Sequence, residues 1–239
     1  MEHRFEPIAC NHEGVILEGF AARPRGDGPH AAVLMIPGAT GPGPSFEAAV
    51  RAIADHGYLA VACSMYERGA DMTTPQSAGR YFADLMARPE LLRERVVAWF
   101  ETVRDLPGVD PERVAAIGYC FGGKCVLELA RSAAPVRAVS SFHGLLATHA
   151  PAEPGTVVPR IAVWTGGRDP YVPRADFEAL RAELDHAAAD YSATEFAQAR
   201  HAFTDPDHDG IAEGIAYDAA AHRIAWNGTL ALLDVSLAA

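Results

Sequence analysis

The sequence predicts an α/β fold with a mainly parallel central sheet and helices on both faces. Short apolar runs at 31–36, 58–63 and 161–165 are continuous rather than alternating, the mark of strands buried on both faces. Between such runs lie stretches with apolar residues at helical spacing, as at Leu91, Leu92, Val96, Val97, Phe100 and Val103. Glycine and proline clusters punctuate the junctions. Strands alternating with helices require βαβ crossovers, hence parallel pairing and a covered sheet.

In chain order, residues 5–10 and 14–22 read as two strands of a hairpin around Asn11-His12-Glu13-Gly14. Arg23 to Pro29 is a turn cluster, followed by the buried strand 31–36. That strand ends in Pro37-Gly38-Ala39-Thr40-Gly41-Pro42-Gly43-Pro44, whose composition demands a loop. A helix at 45–56 and a buried strand at 58–63 come next, then a polar loop and a helix at 90–104. The turn 107–111 introduces a strand at 113–118. Strands at 136–142 and 161–165, a helix at 175–189, a strand at 191–196 and a helix at 217–237 complete the pattern. There is no repeat or long linker, and 239 residues suit one α/β domain over 1–239.

A net charge of −11, with no basic stripe to offset it, argues against nucleic acid or an anionic membrane as partner. The four cysteines, Cys10, Cys63, Cys120 and Cys125, are spaced for neither a zinc module nor a disulfide framework. No apolar run approaches the ~20 residues of a membrane helix. The start, Met1 to Pro7, lacks the basic and apolar regions of a signal peptide. These features predict a soluble cytoplasmic protein with reduced thiols.

The most informative stretch is Gly118-Tyr119-Cys120-Phe121-Gly122-Gly123, between the 113–118 strand and a helix-like run from Lys124. Strand, G-x-C-x-G, helix is the layout of a nucleophile elbow with cysteine as the nucleophile. Side chains at 118 and 122 would collide in so sharp a turn. The turn sets Cys120 beside the unpaired N–H groups of a helix start, where partial positive charge favours a thiolate. A packed thiol in a tight turn is the competing reading, so the elbow needs partners.

In a parallel α/β sheet functional groups gather at the C-terminal strand ends. The strand 161–165 runs into Gly166-Gly167-Arg168-Asp169, and the strand 191–196 is followed by His201. Nucleophile, acid, histidine is the order of a hydrolytic triad on such a sheet. His143 follows another strand end and reads as a packed histidine at the pocket wall. His186 and His222 fall within helices and read as surface or packing residues. The acidic stretch Asp205-Pro206-Asp207-His208-Asp209-Gly210 looks like the opening of a calcium loop, but Ala216 replaces its closing glutamate. It reads as a solvated turn, and neither metal nor cofactor is expected. Cys125, inside the helix, reads as a packed thiol.

Taken together, the elbow, Gly166-Gly167-Arg168-Asp169, His201-Ala202-Phe203-Thr204 and the segment Tyr217 to Trp226 resemble the dienelactone hydrolase family over nearly the whole chain. The resemblance implies an α/β-hydrolase fold, a Cys120–Asp169–His201 triad and a small-molecule ester or lactone substrate. It also implies an oxyanion hole made by the backbone N–H groups of Phe121 and Ala39. Two departures stand out. Family members commonly carry a glutamate that interacts with the thiol, where this chain has Gly38. Dienelactone-cleaving members hold the substrate carboxylate with arginines, one of them just past the triad histidine, where this chain has Thr204-Asp205-Pro206-Asp207. Arg80 is a remaining candidate for an anion clamp. The expected function is therefore carboxylic ester or lactone hydrolysis through a thioester, on a substrate other than dienelactone. A non-catalytic binder of small ligands on the same scaffold, or a thioesterase or peptidase, is the alternative.

Overall fold

The computed structural model describes residues 3–238; Met1 and Glu2, part of the start read above for leader character, lie outside them. One eight-stranded sheet has the order β1-β2-β4-β3-β5-β6-β7-β8. Strands β1 (Glu6–His12) and β2 (Val15–Ala22) form the antiparallel hairpin expected from the sequence, and β2 pairs antiparallel with β4 (Leu59–Glu67). From β4 onward the pairing is parallel through β3 (His30–Ile36), β5 (Val109–Tyr119), β6 (Ala138–Phe142), β7 (Arg160–Gly166) and β8 (Tyr191–Phe196).

Because side chains alternate across each strand, every central strand feeds two cores. On one face Leu34, Val61, Ala116 and Val139 pack with Val96, Trp99 and Phe100 of α3 (Pro89–Arg104) and Val126 and Leu129 of α4 (Phe121–Arg131). Leu180 and Leu184 of α5 (Arg174–His186) extend this layer. On the other face Val33, Met35 and Ile117 pack with Val50 and Ile53 of α1 (Pro44–Asp55) and Ala225 and Leu233 of α6 (Ala219–Ser236). The architecture is the α/β-hydrolase arrangement that the sequence predicts. No helix among the described residues is long and apolar enough to cross a membrane.

Two elements differ from expectation. The stretch read as a polar loop contains α2 (Pro75–Met86). Its signals lie in the sequence: Thr74 caps the helix in a reciprocal pair with Ser77, Pro75 occupies the first turn, and Ala78, Tyr81, Phe82, Leu85 and Met86 recur at helical spacing on the face packed against the core. Strand β5 begins at Val109, so the turn cluster around Pro111 belongs to it. The register with β3 slips between the His30–Val109 and Ala32–Val114 pairs, and Pro111 is accommodated in that irregular stretch.

Candidate active site

At the end of β5 the chain turns into α4 with Cys120 at φ +53° and ψ −115°, a conformation L-residues rarely adopt. The neighbouring glycines make this possible. A Cβ on Gly118 would lie 2.0 Å from the Gly122 carbonyl oxygen, and one on Gly122 would lie 2.1 Å from that of Ile36. The elbow is anchored by the Cys120 N–H, which donates to the Phe142 carbonyl at 3.0 Å.

The structure brings the three residues singled out at strand ends into contact. Cys120 Sγ lies 3.1 Å from His201 Nε2, and His201 Nδ1 lies 2.7 Å from Asp169 Oδ2. Asp169 and His201 are buried, whereas Cys120 is half-buried and faces a cavity. The second Asp169 oxygen accepts the Tyr171 N–H at 2.8 Å, and the Tyr171 ring packs edge-on against the His201 imidazole with centroids 4.8 Å apart. The His201 backbone is fixed by exchange with the segment at Gly214 and Ala216. Burial alone would lower the His201 pKa, but its hydrogen bonds to Asp169 and Cys120 outweigh that and lift it to about 10.

Phe121 is the first residue of α4, so its N–H has no partner within the helix. Ala39 stands in the turn after β3, beside Gly38, and both line the cavity with Cys120. A Cβ on Gly38 would meet only the Cys120 Cβ, at an unstrained 3.7 Å. Space therefore does not dictate the missing carboxylate. Tyr66, at the end of β4, links the two segments: its hydroxyl donates to the Ala39 carbonyl at 3.1 Å and its ring stacks on Phe121 at 5.8 Å and 2°. Burial, with the nearby Cys125 and Cys120 thiols, raises the Tyr66 pKa, so the phenol stays a donor. Phe82 of α2 packs edge-on against the same Phe121 ring. Sequence reading missed Tyr66, Tyr171 and Phe82, because their ring contacts join chain segments with no fixed spacing.

The remaining candidates fall as follows. His143 is 2% exposed, lines the cavity and pairs its Nε2 with Thr204 Oγ1 at 2.8 Å. Burial, reinforced by the nearby His201, holds its pKa well below 6.5. Arg80 is exposed and is not part of the cavity wall, so the anion clamp expected from it is not built. The acidic stretch is not a free solvated turn. Asp207 accepts the Ser45 N–H at 2.7 Å and Asp205 accepts the Ser45 hydroxyl at 2.9 Å, so the stretch caps α1, whose own N-cap is the side-chain-less Gly43. His222, expected at the surface or in packing, is half-buried and lines the cavity from α6. Among the described residues no group of three or more His, Cys, Asp or Glu could hold a metal ion.

Comparison with known proteins bears on the family and the fold. The family model for the dienelactone hydrolase family matches residues 17–237. A putative carboxymethylenebutenolidase of Synechocystis sp. is 28% identical, with 96% of each chain covered. A solved structure named m3DLH superposes with a TM-score of 0.90 at 27% identity over the full length of both chains. A dienelactone hydrolase-like promiscuous phosphotriesterase from metagenomic libraries superposes with a TM-score of 0.89 at 27% identity, covering 99% of each chain.

Proposed function

Since the chain belongs to the dienelactone hydrolase family of hydrolases, we propose that it cleaves carboxylic esters or lactones by acyl transfer through Cys120. The observation that carries the reading is the unbroken relay from Cys120 Sγ through His201 to Asp169, at 3.1 and 2.7 Å. The raised pKa of His201 favours an imidazolium beside the sulfur, which stabilises a thiolate. Asp169 fixes the imidazole tautomer and orientation, as the acid of such a triad does.

The thiolate attacks the carbonyl carbon and the negative charge moves to the carbonyl oxygen. The Phe121 and Ala39 N–H groups stabilise that oxyanion, each contributing about 3–4 kcal/mol by analogy with comparable donors. Collapse of the tetrahedral species breaks the C–O bond, and His201 gives its proton to the leaving alkoxide. Water, deprotonated by His201, then attacks the thioester, releasing the carboxylic acid and restoring the thiol–imidazole pair. With a glycine at position 38, activation of the thiol rests on His201 and the helix start alone.

A second reading, attack on the phosphorus of an uncharged phosphotriester, is favoured by the likeness to the phosphotriesterase named above. Both readings use Cys120, and a p-nitrophenyl ester and a p-nitrophenyl phosphotriester tested side by side separate them. Cys120→Ala is expected to abolish turnover of whichever is the substrate. Full turnover in that variant would overturn both.

A further inference from the structure

The cavity at Cys120 has a volume of about 640 Å³, within the usual range for small-molecule sites. Its wall is aromatic and aliphatic: Phe46 and Ala49 of α1, Tyr119, Leu145 and Trp226 of α6. It contains no lysine or arginine, and its one carboxylate is Asp205. That carboxylate is placed rather than incidental, held by the Ser45 hydroxyl at 2.9 Å and by His208 Nδ1 at 2.7 Å. His143 and His222 also line the cavity, and burial lowers the pKa of each, so neither supplies positive charge near neutral pH. Of the other two imidazoles in the wall, His201 is already matched by Asp169 and His208 by Asp205. A carboxylate entering this cavity would lose its hydration and meet no uncommitted cation. His143 Nδ1 is buried and has no hydrogen-bond partner among the described residues.

From this wall we propose that the site takes uncharged esters with an apolar acyl group. The group lies between α1 and α6 against Ala49 and Trp226, and anionic substrates are rejected through Asp205. The turnover part of this inference rests on the acyl-transfer reading of Cys120; the binding part does not. The alanine at position 49 sets the depth available to the acyl group, because a larger side chain there would project into space a longer acyl chain needs.

The test compares p-nitrophenyl pentanoate with p-nitrophenyl hydrogen glutarate, in which a carboxylate replaces the terminal methyl. The expected kcat/KM ratio favours the pentanoate at least about tenfold at low salt, and the preference shrinks as salt screens the charge. Asp205→Asn, which keeps an acceptor for Ser45 but removes the charge, is expected to narrow the ratio. Ala49→Phe is expected to lower the ratio of hexanoate to acetate turnover at least about tenfold. In parallel, methyl pentanoate and monomethyl glutarate are titrated against Cys120→Ala and binding is read by thermal shift. Tighter binding of the neutral ester supports the inference even if neither aryl ester is hydrolysed, a result that would instead remove the acyl-transfer reading. Equal or better handling of the anionic member, in turnover or in binding, overturns the inference.

Discussion

Helix α4 carries two buried polar clusters that are completed in different ways. At its start, half-buried Cys120 in a strained backbone conformation meets His201 and, through it, Asp169, and the assembly opens on a cavity. Two turns further on, Glu128 is fully buried and enclosed by cations. Lys124 Nζ lies 3.1 Å from one carboxylate oxygen, Arg131 Nη1 3.1 Å from the same oxygen, and Arg93 Nε donates to the other at 2.9 Å. Lys124 and Arg131 also donate to the carbonyls of Ala147 and Leu146, and Arg131 pairs with Glu183. Every charge in the second cluster is answered several times over, which suits a brace between α4, α3 and α5. The first cluster leaves a sulfur facing open space, which suits chemistry. Burial of polar groups is common to both; whether the satisfied groups enclose the cluster or leave one face open tells function from structure.

The contrast is broken most severely at its chemical end. Cys120→Ala is expected to reduce ester turnover by at least about a thousandfold while lowering the melting temperature far less than Glu128→Ala does, measured by initial rates and calorimetry. Asp169→Asn keeps the shape of the relay but favours the wrong imidazole tautomer, and turnover is expected to fall about 10³–10⁴-fold. The same sort of substitution in the other cluster should do the reverse. Glu128→Ala leaves Lys124 and Arg131 buried without their shared anion, an expected loss of about 3–5 kcal/mol in stability by denaturant titration. Turnover per folded molecule should change little.

Acidity and alkalinity sharpen the comparison, because the two clusters fail at opposite ends of the pH scale. His201 titrates higher in the folded chain, at about 10, than its ordinary 6.5. Its contribution to stability is therefore complete below pH 6.5 and is lost as pH rises toward 10. Glu128 is shifted the other way: burial would raise its pKa, but Arg131, Lys124 and Arg93 together hold it below 4.5. Its contribution is complete above pH 4.5 and is lost on acidification. The melting-temperature advantage of wild type over His201→Asn should accordingly shrink on the alkaline side, and that over Glu128→Gln on the acid side. The smallest expected effect is at Tyr66. Tyr66→Phe keeps the stack on Phe121 but releases the Ala39 carbonyl, and about a tenfold fall in kcat with little change in KM is expected.

The strand ends made the candidate triad legible: Cys120 and Asp169 each follow an apolar run that reads as a buried strand, and His201 follows the half-buried edge strand β8. The elbow was legible for a steric reason, the glycines at 118 and 122. What surrounds the site was not. Helix α2 carries helical spacing at Ala78, Tyr81, Phe82, Leu85 and Met86, but nothing in that spacing shows that Phe82 meets Phe121. The acidic stretch looked solvated because its partner, Ser45, lies about 160 residues earlier in the chain. His222 and Trp226 share a helix whose sequence gives no sign of which face meets the cavity. Local patterns predict elements and their ends; contacts between distant segments shape the cavity.

The central claim, that the thiol at the start of α4 is the nucleophile, is tested most directly by trapping the acyl group. Rapid acid quenching of the protein with a p-nitrophenyl ester, followed by peptide mass mapping, should show one added acyl group on the peptide holding Cys120. Cys10, Cys63 and Cys125, each at most 1% exposed, should remain unmodified. Turnover with the acyl group found on Cys125 or another residue, and none on Cys120, would contradict the account.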